Sequence, residues 1–261
     1  MNKSAPENLF YFYLMGVSQM INVAIFDYGG TLVRSREPWD KVKPRAVQAT
    51  YKVFLERGLK IPPDDFISRE ASLFNELGKV ETEESRDIPD SEKYDRFVAD
   101  LFPDQQDSWK KETSRRATEA FWRVVVENYA VRDDAYYTLE RLKTMGFRMA
   151  VISNHHNHEA LLSHLNLIGL DRFFFPILSS CQFSFRKPDP RIFKVCLDKL
   201  EVRPENAAYI GDTPNIDVKG AKLTGMKSIL IRDSHIDAEK TDEPDRMISN
   251  LNELPDLLLE L

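Results

Sequence analysis

The sequence predicts an α/β fold: a parallel sheet with helices on both faces, and an α-helical domain inserted after the first strand. Three observations carry that reading. An apolar run of strand length, "INVAIFDY", starts at Ile21, as expected of a strand buried on both faces. Between about residues 40 and 130 helical periodicity runs on with no strand signal. Beyond about residue 130, strand-like and helical stretches alternate, the pattern of parallel strands joined by crossover helices.

In the helical region, Val47, Tyr51, Phe54 and Leu55 share one face, as do Ile67, Ala71 and Phe74. Tyr94, Phe97, Val98 and Leu101 form a third stripe, and Ala117, Phe121 and Val124 a fourth. Each stripe reads as core packing. The alternating part then runs "YYTLERLKTMG" (helix, ending at Gly146), "FRMAVIS" (strand), "HEALLSHLNLIG" (helix), "FFFPILSS" (strand) and "PRIFKVCLDKL" (helix). It continues with strand "AAYIG", helix "NIDVKGAKLTG", strands "KSILIR" and "RMIS", and a terminal helix in "LNELPDLLLEL". The acidic stretch "HIDAEKTDEPD" (235–245) reads as a solvated connection. The expected organisation is an N-terminal extension over 1–19, a core built from 20–37 and 131–261, and a helical domain over 38–130.

With 42% hydrophobic and 30% charged residues, the 261-residue chain can bury a sizeable core. A formal charge of -6 argues against a general binder of nucleic acid or anionic membrane. Cys181 and Cys196 are the only cysteines; without a CxxC pair they suit a reducing cytoplasm and supply neither a disulfide framework nor a zinc site. No apolar run approaches the roughly 20 residues of a spanning helix. The nearest, "LFYFYLMGV" (9–17), has only Lys3 upstream and Glu7 close by, a poor export signal. Met20 would itself be a natural start, so residues 1–19 read as lying outside the catalytic fold.

Ligands of open α/β sheets bind beyond the carboxyl ends of the strands. Asp27, Ser153 and Asp212 close three predicted strands, and Lys187 lies in the loop before a helix. Singly, each reads as a cap, a turn or a surface residue. Together they make a site. Two converging carboxylates call for a cation between them, and oxygen ligands suit Mg²⁺. A hydroxyl, a lysine and the backbone N–H groups of the "GGT" turn would cradle a phosphoryl group, and a carboxylate can act as nucleophile.

The stretches "DYGGTL", "VISN", "RKPDPRIF" and "GDTPNIDVKGA" occur in that order. With them the chain, from about residue 21 to its end, resembles the haloacid dehalogenase superfamily of hydrolases, most of which are Mg²⁺-dependent phosphatases. The resemblance implies a Rossmann-like core and a mobile helical cap that selects substrate. It implies Asp27 as the nucleophile that forms an aspartyl-phosphate, with Thr31, Ser153, Asn154 and Lys187 around the phosphoryl group. It further implies Mg²⁺ held by Asp27, Asp212 and the Gly29 carbonyl, with Asp217 in support.

At position 29 the sequence departs from that pattern. Family phosphatases carry an aspartate there that protonates the leaving oxygen and then activates the hydrolytic water, and this chain has Gly29. Losing general acid–base help costs typically about 10²–10⁴-fold. His155, His156 and His158 in "NHHNH" are candidate replacements, and each also reads as a polar residue at a helix start. A substrate with a good leaving group would need no acid. The expectation is an Mg²⁺-dependent phosphatase of a small phosphorylated metabolite, slow or restricted to good leaving groups, with no nucleic-acid or membrane partner. The alternatives are a metal-independent 2-haloacid dehalogenase and a catalytically weak binding protein. Arg86 and Trp39 read as a loop charge and a packing residue.

Overall fold

The structure, a computed structural model, describes residues 20–232 and 243–261. The expected extension over 1–19 and residues 235–242 of the acidic stretch lie outside the described residues. Strand β1 (Val23–Phe26) is wholly buried and sits at the centre of a six-stranded parallel sheet. Its neighbours are β4 (Arg148–Ser153) and β6 (Ala207–Gly211). Outward from these lie β5 (Ile177–Ser179) on one side, and β7 (Lys227–Ile231) then β8 (Arg246–Ile248) on the other.

Alternation along β1 divides the core in two, because successive side chains leave a strand on opposite faces. Ala24 and Phe26 join a core with Leu139, Leu142, Leu161 and Leu165. Those leucines come from α5 (Ala135–Thr144) and α6 (His158–Leu167). Val23 and Ile25 face Ile192, Phe193 and Cys196 of α7 (Pro190–Leu200). Local chemistry sets the helix starts: the Asn157 side chain accepts from Ala160 N–H before α6, and Asp189 accepts from Arg191 N–H before α7.

The insert consists of α1 (Trp39–Glu56), α2 (Pro63–Glu84), α3 (Asp90–Leu101) and α4 (Asp107–Glu127). It has a core of its own around Phe54, Phe66, Phe97 and Phe121. Leu55 and Ile67, expected inside, are instead 46% and 47% exposed: each helix turns a narrow stripe inward, and these residues flank it. The insert does not follow the first strand directly. A second strand, β2 (Val33–Ser35), pairs antiparallel with β3 (Tyr129–Val131), so that a two-stranded ribbon leads into and out of the helices. Three residues per strand leave no periodicity to detect. Two expected helices are also shorter than read. "NIDVKGAKLTG" becomes a π-helical turn over Pro214–Val218 followed by α8 (Lys219–Thr224), and the terminal helix reduces to a 3₁₀ turn followed by α9 (Leu254–Leu257).

Phe54 is fully buried and packs against Phe66, Phe97 and Phe102 at centroid distances of 5.1, 5.6 and 6.2 Å. Phe54→Ala should therefore cost about 3–5 kcal/mol in urea unfolding. Phe175→Ala, at a residue 69% exposed, should cost under about 1 kcal/mol. A loss under about 1 kcal/mol for Phe54→Ala as well would show that the insert core does not contribute to global stability.

Candidate active site

The sheet brings the predicted polar residues to one edge. The Asp27 N–H continues the β1–β6 ladder by donating to the Ile210 carbonyl at 2.8 Å, which fixes Asp27 just past the strand end. Ser153 ends β4, and Asp212 follows the last residue of β6. Asp27, Gly29, Ser153, Lys187, Asp212 and Asp217 all border one cavity of about 210 Å³, as do Asn154 and Arg186.

Lys187, one of these residues, is almost wholly buried. Its ammonium donates to Asp27 Oδ1 at 2.7 Å, to Asp217 Oδ1 at 2.8 Å and to the Tyr209 hydroxyl at 2.7 Å. That hydroxyl in turn donates to the Ile152 carbonyl at 2.9 Å. Burial alone would lower the Lys187 pKa, but Asp217 and Asp27 outweigh it and hold the ammonium above its ordinary value. Asn154 spends both ends of its carboxamide on the Lys187 backbone: Nδ2 donates to the carbonyl at 3.0 Å, and Oδ1 accepts from the N–H at 2.9 Å. It anchors the lysine loop.

Asp27, Asp212 and Asp217 each offer a carboxylate oxygen, and these oxygens lie within 4.8 Å of one another. Three carboxylates against one ammonium leave an excess of two negative charges. Burial raises Asp27 to about 7, with Asp217 and Asp212 adding repulsion and Lys187 opposing. Burial, then Asp217, likewise raises Asp212 to about 6. Such a donor set fits a divalent, oxygen-preferring cation such as Mg²⁺.

Two glycines make room for this crowding. A side chain at Gly30, where φ is +81°, would run into the Asp212 carboxylate, and one at Gly211 would run into Asp217. Asp217 lies in the π-helical turn after β6, and its second oxygen accepts from Thr213 N–H at 2.9 Å. Gly29 differs: a Cβ there meets nothing within 4 Å. Thr31 is fully buried, and its hydroxyl has no hydrogen-bond partner among the described residues. Such an unmet bond costs about 1–3 kcal/mol, and Thr31 is not among the residues that border the cavity.

The three histidines stand elsewhere. The His155 ring packs tilted against Trp122 of the insert, 4.4 Å between centroids, and its Nδ1 accepts from Asn157 N–H at 3.2 Å. Burial pushes its pKa down to about 3, so at neutral pH it has no imidazolium proton to give. His156 faces the Glu81 carboxylate of the insert at 3.3 Å. There burial opposes protonation, yet Glu81 holds the pKa above its usual value. His158 meets the Ser179 hydroxyl at 3.0 Å. None of the three borders the Asp27 cavity. Arg86 pairs with its neighbour Glu84, and Trp39 packs edge-on against Phe121.

Sequence reasoning missed Tyr209, which stood in an apolar strand run with nothing to mark its hydroxyl. It also missed Arg186 and, in the insert, Asp87, whose carboxylate accepts from both Arg186 and the Ser180 hydroxyl.

A profile of one protein family, described as haloacid dehalogenase-like hydrolase, matches residues 21–225. A glyceraldehyde 3-phosphate phosphatase of Methanopyrus kandleri is 27% identical over 249 residues, 93% of this chain and 99% of that protein. An (S)-2-haloacid dehalogenase of a Pseudomonas species is 34% identical over 129 residues, 49% of this chain and 56% of that protein. Among solved structures, a 2-haloacid dehalogenase from Pseudomonas syringae superposes with a TM-score of 0.73 at 22% identity, covering 92% of this chain and 99% of that one. That likeness is one of fold.

Two predictions follow from the geometry. Gly30→Ala should destabilise the protein by about 1–3 kcal/mol, through positive φ and the clash, whereas Gly29→Ala should stay within about 1 kcal/mol; similar losses in chemical denaturation would refute the contrast. The second concerns pH. Because the folded-state pKa values of Asp27 and Asp212 are raised above the ordinary 3.8, the cation-free folded protein keeps protons that the unfolded chain releases. Its stability therefore falls as pH rises from that value towards 7, and a divalent cation offsets the loss by favouring the charged carboxylates. The gain in melting temperature on adding Mg²⁺ should thus be larger at about pH 7.5 than at about pH 5. An equal gain at both would contradict the site.

Proposed function

Because the chain belongs to the haloacid dehalogenase-like hydrolase family, we propose that it is an Mg²⁺-dependent phosphatase of a small phosphorylated metabolite, working through an aspartyl-phosphate. The observation that carries this reading is the convergence of Asp27, Asp212 and Asp217 on one small volume beside a single lysine. A halide-displacing site needs a nucleophilic carboxylate and a base for the water that hydrolyses the ester, but no cation among three carboxylates. The full-length match to a phosphatase supports the same choice.

In the proposed reaction the free oxygen of Asp27 attacks phosphorus, and the bond to the leaving oxygen breaks. Lys187 holds the other Asp27 oxygen and fixes the angle of attack. The Ser153 and Thr31 hydroxyls donate to phosphoryl oxygens, and Asn154 keeps Lys187 in place. Asp27, Asp212 and the Gly29 carbonyl would hold the cation, with Asp217 fixing Lys187 beside them. When bound, Mg²⁺ balances the charge of carboxylates and phosphoryl group. Water then attacks the aspartyl-phosphate, releasing inorganic phosphate and restoring the carboxylate.

With Gly29 the turn after β1 has no side chain to protonate the leaving oxygen, and His155 and His156 are occupied elsewhere. Turnover should therefore favour acyl and aryl phosphates, whose leaving groups depart as stable anions. The same proposal divides the chain into a core over 20–37 and 131–261 and a cap over 38–130, with 1–19 as an extension, in a cytoplasmic setting that suits the two free cysteines. No described helix is long and apolar enough to cross a membrane.

Purified protein should release phosphate from acetyl phosphate and 4-nitrophenyl phosphate with Mg²⁺, and lose that activity with EDTA or Asp27→Asn. Halide release from 2-haloacids that is indifferent to EDTA would replace this reading with a dehalogenase, and the absence of both products would favour a binding protein. A Cβ at Gly29 meets nothing within 4 Å, which makes Gly29→Asp the variant to test. That change should raise turnover of alkyl phosphates by up to about 10²–10⁴-fold and of acyl phosphates less, since for them only the attack of water gains. An equal or absent gain would refute the missing-acid account.

A further inference from the structure

Arg186 borders the same cavity as Asp27. Its Nη1 donates to Asp87 Oδ1, and Asp87 Oδ2 accepts from the Ser180 hydroxyl. The Ser180 oxygen itself accepts from the His155 N–H at 3.0 Å. Asp87 is 1% exposed and comes from the connection between α2 and α3 of the insert. Close by, the Asp90 N–H donates to the His156 carbonyl at 2.9 Å, which ties the same connection to the core. Arg186 is thus held at one end by a buried carboxylate of the insert.

The other end is free. Among the described residues neither Nε nor Nη2 of Arg186 has a partner, and the side chain is 34% exposed. Nε–H and Nη2–H lie along one edge of the guanidinium plane, and that edge matches the two oxygens of a carboxylate. Binding at Nη1 by Asp87 stops the group from turning and leaves this edge to a ligand. The cavity, about 210 Å³, lies below the roughly 300–1,000 Å³ typical of pockets for drug-sized ligands. Its occupant is therefore small.

Resting on the phosphatase reading, we propose that Arg186 is a specificity-determining residue that binds a carboxylate on the leaving group. Asp87 of the insert is the positioning residue that aims it. The substrate class is a short acyl or enol phosphate with a carboxylate on its leaving group, and an alkyl phosphate such as 2-phosphoglycolate serves as a bound analogue of it. A pair that merely docks the insert onto the core would be indifferent to the leaving group.

Matched ligands separate the two roles: 2-phosphoglycolate, and ethyl phosphate, which has a methyl group in place of the carboxylate. Their binding is measured by calorimetry with Mg²⁺ in an Asp27→Asn background that cannot turn over. The expected result is 2-phosphoglycolate bound at least about 10-fold more tightly, as for a charge-assisted hydrogen-bonded pair. Adding Arg186→Gln should erase that preference, and Arg186→Lys should keep part of it. Asp87→Asn should weaken the preference and Asp87→Glu restore it, whereas a loss of docking alone would lower both affinities together. Equal affinity for the two ligands, no binding of either, or a preference that survives Arg186→Gln would overturn the inference. Phosphate release from 4-nitrophenyl phosphate by the wild-type protein tests the phosphatase reading separately. If that fails while the carboxylate preference holds, the reaction assignment falls and the anchor stands.

Discussion

The site depends on the buried ammonium of Lys187. It gathers Asp27 from the end of β1, Asp217 from the turn after β6 and the Tyr209 hydroxyl from within β6. Burying a charge costs several kcal/mol unless it is paired and hydrogen-bonded. Here three acceptors meet the three ammonium hydrogens, so that cost is offset. The same contacts hold two carboxylates that would otherwise repel each other out of the cavity. Other features serve this arrangement: Asn154 clamps the lysine backbone, Tyr209 is braced on the Ile152 carbonyl, and Gly30 and Gly211 leave space where side chains would displace Asp212 and Asp217.

Much of this was legible in the sequence, because polar residues that interrupt apolar runs mark strand ends. Asp27, Ser153 and Asp212 stood out in this way, and the sheet brings all three to one cavity. Tyr209 did not, since a tyrosine inside "AAYIG" reads as one more apolar strand residue. Arg186 and Asp87 were invisible for another reason: they meet across 99 residues, and no local pattern encodes such a pairing. The ribbon β2–β3 escaped because its strands have three residues each. The histidines stay off the cavity for a physical reason. Their position after Ser153 placed them near the site in sequence, but burial against Trp122 and pairing with Glu81 turn His155 and His156 towards the insert.

The two glycines of the first turn have different duties. Gly30 is required by backbone conformation and by the nearness of Asp212, whereas Gly29 is bordered by open space. Its lack of a side chain is therefore a chemical choice and not a steric necessity. With Arg186 bordering the cavity and held by the buried Asp87, the proposed site would combine weak proton transfer with a cation able to recognise the leaving group. Such a site draws its selectivity from what departs as much as from what is transferred.

The central claim is that Asp27 and Asp212 share one divalent cation beside Lys187. Anomalous scattering from crystals grown with Mn²⁺ tests it most directly. The account predicts a single strong peak in contact with the Asp27 and Asp212 carboxylates. A protein that binds no Mn²⁺ there, or binds it instead among Glu81, Asp87 and His156, where a second set of ligand atoms converges, would contradict it.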